Sequence, residues 1–121
     1  MSKKTALIGA SSNPRRYSFL ATNMLSENEF EVLPLGIKAG EINGKAIITD
    51  WPSTIADLDT VTMYIGPKNQ PEHYAYILGL KPRRIIFNPG TENPEFSALA
   101  NIQGIETIEA CTLVMLRTNQ F

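Results

Sequence analysis

The sequence predicts a small α/β domain: a parallel sheet of five or six strands with helices on both faces. Three observations lead there. Short apolar runs alternate with stretches of helical spacing along the chain, the pattern of a sheet covered by helices. The chain has 121 residues, enough for one domain with an ordinary core. Its composition, 43% hydrophobic and 19% charged, is that of a globular chain rather than a disordered one.

The first strand covers Thr5 to Gly9, through the run Ala6, Leu7 and Ile8. A helix begins near Ser18, where Phe19, Leu20, Met24 and Leu25 take helical spacing, and it fades by Asn28. Residues 30–35 read as the second strand, with Pro34 near its end, where a missing N–H costs least. Residues 36–53 are rich in turn signals, and inside them residues 46–48 read as a short edge strand. Ser53 is placed to cap a brief helical turn before Asp57. Residues 61–65 form a central strand that ends at Gly66 and Pro67.

Asn69 as N-cap, Pro71 in the first turn and Glu72 at the capping-box position predict the next helix. Gly79 closes it, and Lys81 followed by Pro82 bars continuation. Residues 85–87 are another strand, ended by Asn88, Pro89 and Gly90. Asn93, Pro94 and Glu95 open a further helix, and Gly104 closes it. Residues 105–108 form the last strand, and residues 112–116 a short terminal helix. No repeat or linker interrupts the chain, so residues 1–121 read as a single domain.

Charge narrows the function. Eleven Lys and Arg stand against twelve Asp and Glu, for a net charge of −1. No global field draws in nucleic acid or a membrane surface, so any anion must be held by local placement. No apolar run approaches the length of a membrane span, and residues 1–4 lack a signal-peptide core. The expectation is a cytoplasmic protein. One cysteine, Cys111, excludes an internal disulfide, and with one histidine, His73, it leaves too few donors for a zinc site.

In a doubly wound sheet the ligand crevice lies at the carboxyl ends of the strands. Four strand ends here carry glycine or proline–glycine: Gly9, Gly36, Gly66 with Pro67, and Pro89 with Gly90. The first is the most telling. A buried strand feeds Gly9, Ala10, Ser11, Ser12 and Asn13, then a helix start near Ser18. Such a turn gathers backbone N–H groups at the positive end of a helix dipole and favours an anion. Arg15 and Arg16 oppose that dipole, which makes more sense with an anion present, and their forked guanidiniums suit phosphate. A dinucleotide fingerprint would read G-x-G-x-x-G; only Gly9 is kept, with Ser11 and Pro14 in the other two places. After the second strand stands Lys38 rather than an acidic residue, which favours a phosphorylated ribose. Coenzyme A and NADP both fit that description.

The stretch Ile8 to Ser18, IGASSNPRRYS, resembles the V-G-A-S-x-x-P-x-R-x-S opening of the coenzyme-A-binding domain family. That family also supplies the N-terminal domain of the succinyl-CoA synthetase alpha subunit. The similarity runs from about Thr5 to Leu116 and implies a three-layer, doubly wound Rossmann-like fold. It implies that Gly9 to Asn13 with Arg15, Arg16 and Ser18 hold the pyrophosphate. It places Pro34, Leu35, Gly36 and Lys38 along the adenine and phosphorylated ribose, with Ile65, Gly66 and Pro67 flanking the adenine. Asn88, Pro89 and Gly90 fall near the pantetheine arm. The chain departs from the family at Leu33 to Gly36, where many bacterial members carry V-N-P.

Catalytic machinery is not evident. His73 is expected as a solvated helix residue, Cys111 as a structural thiol, and Trp51 and Tyr76 as packing residues. Arg83 and Arg84 are expected on the surface at the far edge of the sheet. Tyr64 and Lys68 match a Tyr-x-x-x-Lys spacing that works only on a helix, whereas here it spans a strand and a turn. The expected role is a carrier, sensor or regulator that binds coenzyme A or an acyl derivative and catalyses nothing. The alternatives are an NADP-dependent reductase, or an interaction subunit whose cleft is vestigial. In the last, residues 113–116 would be buried against a homodimer mate or another protein.

Overall fold

Five of the apolar runs become strands of one all-parallel sheet in the computed structural model, which describes residues 3–121. Met1 and Ser2, half of the stretch on which the absence of a signal-peptide core was read, lie outside the described residues. In chain order the elements are β1 (Thr5–Ile8), α1 (Tyr17–Glu27), β2 (Val32–Leu35), β3 (Glu41–Ile42), β4 (Lys45–Ala46) and β5 (Thr60–Met63). Then follow α2 (Tyr74–Gly79), β6 (Arg84–Phe87), α3 (Pro94–Ile102), β7 (Glu106–Glu109) and α4 (Thr112–Arg117). The sheet order is β2-β1-β5-β6-β7.

Every residue of β1, β5 and β6 is buried, as expected of central strands covered on both sides. Side chains alternate between two cores. Ala6, Ile8, Val61, Met63, Ile85 and Phe87 pack with Ile77 of α2 and with Phe96 and Ala100 of α3. Leu7 and Ile86 face the other way, onto Ala21 and Leu25 of α1 and Leu113 and Leu116 of α4. This is the three-layer, Rossmann-like arrangement. It also gives Leu113 and Leu116 partners within the chain, while Val114 of the same terminal run stays exposed.

The edge strand expected at residues 46–48 shrinks to a single parallel bridge between Ile48 and Leu35. The Ile48 N–H donates to the Pro34 carbonyl at 2.8 Å, and the Gly36 N–H donates to the Ile48 carbonyl at 3.0 Å. Ala46 is diverted into an antiparallel ribbon with Glu41, turned by Asn43 and Gly44. Ile48 therefore lies outside β2, and the order of strands reverses between β1 and β5. That reversal is where a doubly wound sheet opens its crevice.

Four local expectations change. Residues 51–59 contain bends and turns but no helical turn after Ser53. The helix expected from Asn69 is split into two 3-10 turns, Pro67–Asn69 and Pro71–His73, before α2 starts at Tyr74. Two prolines four residues apart remove the N–H groups that one continuous helix needs. At the end of α2 the left-handed position is taken by Lys81, with φ 53°, and not by Gly79. Arg84 is buried because β6 lies inside the sheet, between β5 and β7. Its guanidinium donates to Thr60 Oγ1 at 2.8 Å and to the Phe121 carbonyl at 3.0 Å, and sits 4.6 Å from the Phe121 ring. Arg83 remains half exposed and binds Asp59 and Glu106. Its hydrogen bonds hold the Asp59 carboxyl below the ordinary value. Among the described residues no helix is long and apolar enough to cross a membrane.

Candidate functional site

Where β1 ends, Gly9 adopts φ 103°, a conformation that L side chains rarely take. A Cβ there would stand 2.9 Å from Ile65 Cγ2 and 3.0 Å from the Tyr64 carbonyl carbon. Glycine thus lets the ends of β1 and β5 touch. Gly36, at the end of β2, allows a second close approach: a Cβ would stand 2.8 Å from both the Ala10 carbonyl oxygen and Ile47 Cγ2. Above these pinch points opens a cleft of about 510 Å³.

Its lining comes from the loops after four strands: Gly9 to Ser12 and Arg16 to Ser18, Gly36 to Lys38, Tyr64 to Gly66, and Pro89 to Thr91. Ile47, Trp51 and His73 complete the wall. Arg16, Lys38 and His73 contribute basic groups, and no lining residue carries a carboxylate. Among the described residues, Arg16 and Lys38 have no ion-pair partner. A protein with a slight net negative charge has placed unpaired cations around one cavity. That arrangement recruits an anion.

The loop after β1 spends some of its amides internally. Gly9 and Ala10 both donate to the Leu35 carbonyl at 2.9 Å. Asn13 folds the next turn: its N–H donates to Ser11 Oγ at 3.1 Å, and its Oδ1 accepts the Arg15 N–H at 3.0 Å. Its carbonyl accepts the Arg16 N–H, also at 3.0 Å. Among the described residues, the N–H groups of Ser11, Ser12, Tyr17 and Ser18 donate to no protein acceptor. Helix α1 begins with Arg16 at its N-cap, no capping side chain and no acidic residue in the first turn. Four free donors, a dipole and a guanidinium therefore converge on the same corner.

The structure brings Gly9, Ala10, Ser11, Ser12, Arg16, Ser18, Gly36, Lys38, Ile65, Gly66, Pro89 and Gly90 together around this cleft. It leaves six of the expected residues off the wall. Arg15 is exposed beside the cleft, and Asn13 shapes the loop. Pro34 and Leu35 belong to β2, where the Leu35 side chain is wholly buried. Pro67 starts a 3-10 turn. Asn88 is buried, with its amide donating to Thr62 Oγ1 at 2.7 Å and the Met63 carbonyl at 2.8 Å. Its Oδ1 accepts the Thr112 N–H at 2.8 Å, at the start of α4.

Sequence reasoning missed Trp51 and His73 as wall residues. Trp51 is fixed by its Nε1–H, which donates to the Gly36 carbonyl at 2.9 Å, and by ring contacts with His73 and Tyr76. Tyr76 is itself held by the Pro52 carbonyl, 2.6 Å from its hydroxyl. His73 is half-buried against Trp51, not solvated, because the second 3-10 turn carries it over the cleft. The spacing of Pro67 and Pro71 was the signal for that turn. Tyr64 lies beneath the loop, and burial pushes its phenol well above the ordinary value, so it stays neutral. Cys111 is half-buried at the N-cap of α4 and is not part of the wall. Among the described residues no cluster of His, Cys, Asp and Glu is built to hold a metal ion.

Comparison with known proteins adds an independent line. A family model described as a CoA binding domain matches residues 3–117. A crystal structure of an uncharacterized protein is 48% identical, with TM-score 0.96, covering 100% of this chain and 99% of that one. A hypothetical protein from Pyrococcus horikoshii OT3 is 26% identical, with TM-score 0.82, over 97% of this chain and 83% of its own. A conserved hypothetical protein from Pyrococcus furiosus is 28% identical, with TM-score 0.77, over 93% and 97% respectively. Among curated proteins none matches the chain.

Proposed function

The chain belongs to the CoA-binding domain family, and from that premise we propose that it binds coenzyme A or an acyl-coenzyme A in the cleft over β1 and β5. The observation that carries this reading is the corner at α1. Free N–H groups of Ser11, Ser12, Tyr17 and Ser18 meet an uncapped helix start and the Arg16 guanidinium, and none of the residues that line the cleft is acidic. A diphosphate satisfies all of these groups at once. Lys38, on the loop after β2, lines the same cleft, and in this reading it pairs with the ribose phosphate. Trp51 and His73, packed on one another in the same wall, give the base an aromatic surface in this reading.

Among the described residues lining the cleft no cysteine–histidine pair is built, since the single histidine packs at a tilt on Trp51 and the single cysteine lies off the wall. The proposed role is accordingly that of a carrier, sensor or regulator of coenzyme A. Calorimetric titration tests this. Coenzyme A is expected to bind, and its dephospho form to bind about tenfold more weakly, the scale of one charge-assisted contact at Lys38. Equal affinities would remove the role given to Lys38. Tighter binding of NADP than of coenzyme A would transfer the site to the other ribose-phosphate cofactor.

A further inference from the structure

Past the last ladder pair of β5 and β6, Met63 with Phe87, the two chains part to form adjacent loops of the cleft. A buried amide spans the gap. Gln70 is wholly buried, and its Nε2 donates to the Ile65 carbonyl at 2.9 Å and to the Thr91 carbonyl at 2.8 Å. Its Oε1 accepts from Asn93 Nδ2 at 2.9 Å. Asn93 in turn donates to the Tyr74 hydroxyl at 2.8 Å and caps α3 by accepting the Phe96 N–H at 3.1 Å. Both hydrogens and the oxygen of the Gln70 amide are used, and each hydrogen reaches a different wall.

The two loops do not depend on Gln70 equally. The loop after β5 is also held by the Tyr64 N–H on the Ile8 carbonyl at 2.8 Å and by its contact with Gly9. The loop after β6 is anchored at its start, where the Asn88 amide donates to Thr62 Oγ1 and the Met63 carbonyl, and beyond Asn88 it closes on itself. Thr91 donates through N–H and Oγ1 to the Asn88 carbonyl, and the Gly90 N–H goes to Glu92. The tie from Thr91 to the opposite wall is Gln70. We propose that Gln70 is a positioning residue that sets the spacing between these loops for a ligand arm crossing from one to the other. This rests on coenzyme A as the ligand, with the nucleotide half at the α1 corner and the pantetheine arm reaching Gly90 and Thr91.

The Gln70→Met variant keeps side-chain length and loses both donors. It is titrated with coenzyme A and with adenosine bisphosphate, the nucleotide half alone. Affinity for coenzyme A is expected to fall about tenfold while that for adenosine bisphosphate stays within about twofold. An equal loss for both, or no loss for either, overturns the proposal, because a merely structural amide would not change their ratio. Should the unaltered protein bind neither compound, the reading of the cleft falls and the proposal with it. If the variant does not fold, the Gln70 side-chain amide protons of the unaltered protein are followed by NMR. They are expected to shift with coenzyme A and not with adenosine bisphosphate; identical responses to the two overturn the proposal.

Discussion

At Gly9 a φ of 103° coincides with a backbone passing 3.0 Å from where a Cβ would stand. Either feature alone favours glycine; together they exclude any side chain unless the loop moves. Gly9→Ala is therefore expected to lower stability by about 1–3 kcal/mol from backbone strain, with the contact to Ile65 adding to it. It should also weaken coenzyme A binding, because the N–H groups of Ser11 and Ser12 follow directly. Urea denaturation alongside titration checks both, and wild-type stability in the variant would contradict the close approach. This residue was legible in the sequence, since an apolar run stopped by one glycine before a polar turn marks the point where a strand ends and the backbone bends sharply. Arg84 was not. Its burial depends on β6 lying inside the sheet and on the Phe121 ring arriving from a distant part of the chain. No local pattern announces either.

Helices α1 and α3 begin in opposite ways, and the contrast separates folding from function. Asn93 caps α3 by accepting from the Phe96 N–H, with Pro94 and Glu95 following in the first turn. Helix α1 has Arg16 at the equivalent place and no cap. Replacing it, Arg16→Ser, supplies the missing side-chain acceptor and removes a charge that opposes the dipole. Stability of the unliganded protein should rise by about 1 kcal/mol while affinity for coenzyme A falls about tenfold or more. A melt and a titration on the same sample read both; loss of stability without loss of affinity would reverse the argument. The start and stop of α3 were legible because caps and glycine stops act within a few residues. The segment after β5 was misread because Asn69 and Glu72 imitate a capping box. Pro67 before them and Pro71 between them then break the chain into 3-10 turns. Trp51 was hidden for a related reason: it lies in a turn-rich segment whose path is set by the bridge at Ile48 and the hydrogen bond to Gly36.

Across the whole molecule the two ends of the sheet carry charge differently. At the amino ends of the strands, Asp59, Arg83, Arg84 and Glu106 neutralise one another, and Asp59 is held ionised by Arg83. At the carboxyl ends, Arg16 and Lys38 face a cavity without a carboxylate. The near-zero net charge thus conceals a local field aimed at the cleft. The position of that cleft was legible, since the strand ends at Gly9, Gly36, Gly66 and Gly90 meet there, whereas the division of labour among side chains was not. Arg15 and Arg16 look alike in sequence, and the helix start at Tyr17 turns only the second into the wall. Asn88 looks like a ligand contact, but its amide ties β5, β6 and α4 together. A crystal structure of the protein with coenzyme A tests the central claim most directly. It should show the pyrophosphate within hydrogen-bond reach of the Ser11 and Ser12 N–H groups and of Arg16. A cofactor bound elsewhere, or this corner occupied by the protein's own side chains, would contradict the account.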